Sequence, residues 1–180
     1  MRPARTISGS VWLMGLVSVL VAGCSAPSRQ PDVQSRSQPI TLTITSAGTT
    51  HRFSVEPARS AEEQEQGLMF RPDIAADSGM LFAPYPPGGG PPRIATFWMK
   101  NTPSPLDILF IRKDGTIARI VANTVPFSTA PVSSGEPVAA VLELRGGRSD
   151  ELGIAEDDRV DWPGRDATNR NTVEAAQSPG

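Results

Sequence analysis

The chain has a single cysteine, a single histidine and a single tyrosine among its 180 residues. One cysteine cannot form an intrachain disulfide, and one histidine cannot build a multi-histidine zinc site, so only one Cys-His nucleophile pair is even available. Aromatic residues make up 6% of the chain, and neither sign of charge prevails: 17 Lys and Arg stand against 19 Asp and Glu, for a formal charge of -2. That balance gives no electrostatic reason to expect a nucleic-acid partner. The chain also lacks a Gly-x-Ser-x-Gly elbow, a Walker loop and a Gly-x-Gly-x-x-Gly fingerprint. Their absence removes the usual sequence signs of a serine hydrolase, a P-loop site and a dinucleotide fold.

Glycine and proline are in excess, at 16 and 18 residues. Together they are about 19% of the chain, against roughly 12% in ordinary soluble proteins. The excess is local: between Pro84 and Pro92 every residue except Tyr85 is Gly or Pro. Proline lacks the ladder donor and glycine packs nothing, so this run is a surface loop, read either as a lip beside a site or as an insertion joining two strands.

At the amino terminus, Arg2 and Arg5 precede an apolar run from Val11 to Val21 that is short for a bilayer span. Val21-Ala22-Gly23 then supplies small residues before Cys24. This is the pattern of an export signal over residues 1–23. The same four residues resemble the bacterial lipobox, in which the cysteine becomes the lipidated first residue of the mature chain; an ordinary signal peptide cut nearby, or a buried anchor, are the alternatives. Acyl chains contribute about 0.8 kcal/mol per buried methylene, so several on Cys24 would anchor the protein without a transmembrane helix. By resemblance to lipoproteins, Ser25 rather than Asp after the cysteine implies the periplasmic face of the outer membrane. Loss of Arg2 and Arg5 would leave 15 basic against 19 acidic residues, a mature charge of -4.

Residues 24–39 are polar and proline-bearing and read as a disordered tether, and residues 163–180 as a disordered tail. The folded unit is expected over residues 40–162. Leu42 and Ile44 alternate with threonines, and His51, Phe53 and Val55 share a face after a short turn, which predicts a hairpin. Ser60-Ala61-Glu62-Glu63 matches a capping box, with Gly67 able to end a helix over Ala61 to Gln66. Further strands are expected over 80–83, 95–100, 106–112, 116–121, 138–144 and 159–162, with one helical turn over 148–152. Lys113-Asp114-Gly115 is a strong hairpin signal. The fold class is α+β: a compact, antiparallel-rich β-barrel or curled sheet with one or two short helices.

Several blocks carry a resemblance. Gly67-Leu68-Met69-Phe70-Arg71, Gly79-Met80-Leu81-Phe82, Phe97-Trp98-Met99-Lys100-Asn101-Thr102 and Pro105-Leu106-Asp107-Ile108-Leu109-Phe110, followed by Asp114-Gly115-Thr116-Ile117 and Val141-Leu142-Glu143-Leu144, resemble the signature of domain-of-unknown-function family 192. The likeness covers about residues 53–160. It implies a compact α+β domain with a barrel-like sheet, frequently exported, and no established activity. The glycine- and proline-rich loop is longer than the connection typical of the family at that point.

An extended run from Phe97 to Thr102 would put Phe97, Met99 and Asn101 on one face and Trp98, Lys100 and Thr102 on the other. Asp107 opens an apolar strand, and Glu143 is flanked by leucines, so each carboxyl must find a donor or ionise less readily. Lys100, Arg71 and Arg145 are the candidate donors. The expected binding residues are Trp98, Lys100, Asn101, Asp107 and Arg71, bordering a groove for an envelope glycan or a peptide edge. Two readings compete with this one. Asp107 and Glu143 would be the acid/base pair of a hydrolase acting on an envelope glycan, or they would only make ion pairs and turn caps in a structural domain. Met69, Met80 and Met99 with His51 offer soft ligands for copper, but methionines at such spacing read as core, so no metal and no cofactor is expected.

Overall fold

Leu42, Ile44 and Ser46 point inward from β1 (Ile40–Ser46), which turns through Ala47 and Gly48 into β2 (Thr49–Ala58). Both turn residues have positive φ, at 46° and 81°, the backbone that matches a two-residue hairpin to the right-handed strand twist. The computed structural model describes residues 37–165. The expected signal peptide, Cys24, the tether up to residue 36 and the tail from residue 166 lie outside the described residues.

The next element, α1 (Ala61–Gln66), starts at Ser60 with both halves of the capping box formed. The Ser60 hydroxyl accepts from Glu63 N at 3.1 Å, and the Glu63 carboxylate accepts from Ser60 N at 2.9 Å. These bonds satisfy backbone donors that no helix can pair internally. The chain then returns to lay β3 (Ser78–Phe82) parallel to β2. After the glycine- and proline-rich loop come β4 (Arg93–Phe97), β5 (Leu106–Ile111), β6 (Ile117–Val121), β7 (Val132–Val138), β8 (Ala140–Arg145), α2 (Arg148–Leu152) and β9 (Arg159–Asp161).

Seven strands form one sheet in the order β6-β5-β8-β3-β2-β1-β9, and β4 pairs with β7 in a separate two-stranded ribbon. A bridge between Thr116 and Arg159 brings the two ends of the larger sheet together. The result is a nearly closed, barrel-like sheet with two short helices. Its inner face carries one core, including Leu42, Phe53, Leu81, Leu109, Leu142 and Val160. A second core, including Phe82, Ile108, Phe110 and Val141, lies on the outer face of β3, β5 and β8, where Ala95 and Val138 of the β4–β7 ribbon cover it. Because both faces of β5 are covered, all six of its residues are buried. This is why its sequence, apart from Asp107, is an apolar run and does not alternate.

Two expected strands are corrected. The strand expected over 95–100 stops at Phe97: Thr102 N donates to Met99 O at 3.0 Å and Asn101 has a φ of 57°, closing a tight turn. The expected two-face alternation from Phe97 to Thr102 fails for the same reason, and Met99 and Thr102 are both buried. The strand expected over 138–144 is the end of β7 and most of β8, separated at Ala139, whose N–H bonds Ile111 O. Most of β7 escaped sequence reading because Ser133, Ser134, Gly135 and Pro137 have the composition of a turn. Gly135 indeed has a φ of 76°, and the pairing with β4 shifts register there.

Candidate functional site

The α1 helix, the residues following it, Tyr85 and Pro87 of the loop, and β4 enclose a cavity of about 280 Å³ above the outer face of the sheet. Its aromatic wall is a connected set of rings. Phe97 stands edge-on to Phe82 with centroids 5.0 Å apart, and touches Tyr85 at 5.9 Å and Phe110 at 6.1 Å. Such offset and edge-on contacts are the arrangements that aromatic pairs favour. At the mouth, Trp98 is 50% exposed, with the Lys100 ammonium 5.3 Å above its ring. The Arg93 guanidinium lies 5.6 Å from the centre of the Tyr85 ring in the same way.

Glu143 of β8 forms part of the cavity floor. It is 4% exposed, and its Oε2 has no hydrogen-bond partner. Burial pushes its carboxyl up to about 8, because the charged form loses its hydration and gains no cation in return. The donors expected from sequence are engaged elsewhere. Arg71 makes a two-pronged bond to Glu56 at 2.6 and 2.9 Å, Arg145 pairs with Glu151, and Lys100 covers Trp98.

Gln64 of α1 faces the same cavity. Its amide nitrogen donates to Ala58 O at 3.0 Å and Pro84 O at 2.9 Å. Both hydrogens of that nitrogen are therefore used, which fixes the orientation of the amide and leaves Oε1 as an acceptor. Oε1 is buried and unpartnered.

The expected site residues separate into different places. Trp98 lines the cavity; Lys100 is its neighbour at the surface. Asn101 is the left-handed residue of the turn, with its side-chain amide 3.9 Å from the Met69 sulfur and its carbonyl accepting from Phe70 N. Asp107 is fully buried and away from the cavity lining. Its carboxylate accepts from Asn123 N at 2.8 Å, Gly147 N at 2.8 Å and Ser149 N at 2.7 Å. Because Gly147 begins α2 with no side chain of its own to cap the helix, Asp107 supplies that cap from β5. The placement of Asp107 on a groove is therefore corrected: its role in the described residues is to tie β5 to the start of α2.

The acid/base pairing of Asp107 with Glu143 is corrected too. In the β5–β8 ladder Asp107 is opposite Leu144 and Ile108 is opposite Glu143. Directly opposed residues share a face and successive residues alternate, so Asp107 belongs to the Leu144 side and Glu143 to the Ile108 side. The two carboxyls cannot flank one bond of a substrate. Gln64, Phe82, Tyr85 and Arg93 were missed by sequence reading. Only the capping box gave a local sign of where one of them, Gln64, would sit.

Among proteins of known family, the model of DUF192, described as "Uncharacterized ACR", matches residues 42–162. No curated protein matches the chain. Of solved structures, a "putative transcription regulator" from Sinorhizobium meliloti 1021 is 44% identical with a TM-score of 0.67, over 72% of this chain and 97% of that one. A protein of unknown function from Novosphingobium aromaticivorans DSM 12444 is 40% identical with a TM-score of 0.66, over 77% of this chain and 94% of that one.

Proposed function

We propose that this chain, which belongs to the DUF192 family, is a lipid-anchored binding module of the cell envelope that holds a small ligand between α1, the loop and β4. The observation that carries this reading is the cavity itself: an aromatic wall, a half-exposed tryptophan at the mouth and an unpaired carboxyl on the floor. Small-molecule sites have this composition, mostly apolar walls with a few placed polar groups. A purely structural domain would have no use for a buried carboxyl without a partner, since burying one costs stability.

The anchor is Cys24, and Ser25 after it favours the periplasmic face of the outer membrane. The regulator named among the solved structures is a relative by fold and sequence, but a formal charge of -2 gives no support for a nucleic-acid partner here. A hydrolase built on Asp107 and Glu143 is left without its pair, and binding without catalysis is the reading we hold.

The test is tryptophan fluorescence of the full chain titrated with soluble glycan and peptide fractions from envelopes. A saturable change that disappears in Trp98→Phe is expected. Indifference of the Trp98 signal to every fraction sinks the reading.

A further inference from the structure

Among the described residues, Phe70, Trp98, Val125 and Phe127 are large apolar side chains left exposed, and they are carried by three segments that meet at one hydrogen-bonded junction. Phe70 N donates to Asn101 O at 2.8 Å and Phe127 N to Thr102 O at 3.1 Å. Because those carbonyls belong to successive residues, the two phenylalanine amides are no more than about 12 Å apart. Met99, next to Trp98, donates its N–H to Ser128 O at 2.9 Å, and Ser128 N donates to Val125 O at 3.3 Å, closing the turn that carries Val125 and Phe127. The four side chains therefore belong to one apex and are not the scattered single exposures of an ordinary surface.

The backbone here is unusual as well. Phe70 and Phe127 have φ of 62° and 59°, a left-handed conformation that bulky residues rarely adopt. Their rings are nevertheless 71% and 63% exposed, so each is held in a disfavoured backbone without being packed into either core. Strain of this kind clusters at working sites. The charge of the apex is also one-sided. Residues 68–72, 98–104 and 122–131 contain Arg71 and Lys100 and no acidic residue, in a chain whose formal charge is -2; Asp73 stands just past the first segment. Arg71 is paired with Glu56, whereas the exposed Lys100 ammonium lies over the Trp98 ring.

Resting on the lipid-anchored reading above, we infer that this apex is a membrane-docking surface: Phe70, Trp98, Val125 and Phe127 enter the headgroup–acyl boundary of the bilayer, and Lys100 meets its phosphates. Protruding aromatic and aliphatic side chains with a lysine beside a tryptophan have the chemistry of that boundary. A second copy of the chain fits less well. The exposed part of these side chains is roughly 400 Å², about half of one partner's share in a stable interface. The tether allows the docking. The Ser37 hydroxyl donates to the Glu63 carboxylate of α1 at 3.3 Å, and the first apex segment follows α1 after Gly67. Thirteen residues lead from Cys24 to Ser37, a reach of up to about 45 Å, while the seven from Glu63 to Phe70 span at most about 25 Å.

The experiment reconstitutes the chain purified from envelopes into vesicles of phosphatidylethanolamine and phosphatidylglycerol, with and without bromine on the acyl chains, and floats them. Trp98 emission, taken as the difference between the wild type and Trp98→Phe, is expected to shift to the blue and to be roughly halved by the bromine, as for a ring seated at the boundary. Phe70→Asn combined with Phe127→Asn supplies residues that tolerate the left-handed backbone. This double variant should abolish the quenching without lowering the urea midpoint. Flotation with Trp98 emission untouched by bromine overturns the docking and leaves the anchor standing. Quenching that survives in the double variant overturns it too, and a lowered urea midpoint does so by making the rings part of the fold's own packing. Self-association in detergent that the double variant abolishes would show that a second copy covers the apex. A chain that stays out of the floated vesicles removes the anchored reading and this inference together.

Discussion

Asp107 and Glu143 are carried by adjacent, directly hydrogen-bonded strands and face opposite sides of the sheet. One ties the structure together and the other is left unsatisfied. Asp107 accepts three backbone N–H groups, while Glu143, a residue of the cavity lining, has an Oε2 that is buried and accepts none. Substitutions at the two positions should therefore have opposite effects.

Asp107→Asn replaces one accepting oxygen by a donor among three backbone N–H groups. Leaving a buried donor unsatisfied costs about 1 to 3 kcal/mol. Urea unfolding should show a loss in that range, with the Trp98 ligand response kept wherever the protein stays folded. A loss under about 0.5 kcal/mol would mean that the cap on α2 contributes nothing.

Glu143 should make the protein less stable as the pH rises through neutrality. Its carboxyl has an ordinary value of 4.5 and is raised to about 8 in the folded state. Between those values the folded protein holds a proton that the unfolded chain has released. Stability is thus full below about pH 4.5, declines up to about pH 8 and then levels off. At about 1.4 kcal/mol per unit, the whole change is on the order of 5 kcal/mol. Glu63 and Asp114, held low by hydrogen bonds from Ser60, Arg59 and Thr116, act with the opposite sign and only on acidification. Unfolding midpoints from pH 5 to pH 8 should fall in the wild type and stay nearly flat in Glu143→Gln. Parallel profiles would refute the assignment.

Ser60→Ala removes the hydroxyl that accepts from Glu63 N. The expected cost is about 1 kcal/mol, as for other N-cap losses. Because α1 forms one wall of the cavity, hydrogen exchange should accelerate in residues 61–67 more than in β5 or β8. Uniform acceleration would mean that α1 does not open separately.

Cys24→Ser should move the protein from the membrane fraction to the soluble envelope fraction and abolish incorporation of labelled fatty acid. Retention in the membrane after this substitution would rule out the acyl anchor.

Much of the fold was legible locally. The capping box at Ser60, the Lys113-Asp114-Gly115 turn and the alternation in β1 and β2 each specify their structure within a few residues, and all formed as read. What could not be read was register. The facing of Asp107 and Glu143 depends on pairing residues 106–111 with residues 140–145, a match decided by the packing of two cores and not by either segment alone. The turn at Asn101 was hidden for another reason. Met99 is buried like a strand residue but is held from outside β4, its N–H bonding Ser128 O and its sulfur accepting from the Thr124 hydroxyl at 3.1 Å. Tyr85 gave no sign, because a tyrosine between prolines has no pattern of its own; the capping box placed Gln64 on α1, but nothing in its neighbourhood marked that side chain as part of a cavity.

The Thr116–Arg159 bridge bears on how the protein tolerates crowding. Sheets expose unpaired N–H and C=O groups along their outermost strands, and these templates recruit neighbouring copies into aggregates. Here the outermost strands, β6 and β9, spend part of that capacity on each other, through Ile117 N to Asp158 O and Val160 N to Gly115 O. Glu156 further occupies Ile120 N. Held at a membrane surface by the anchor proposed above, the domain would meet its own copies at high local density, and this seam leaves them less backbone to pair with.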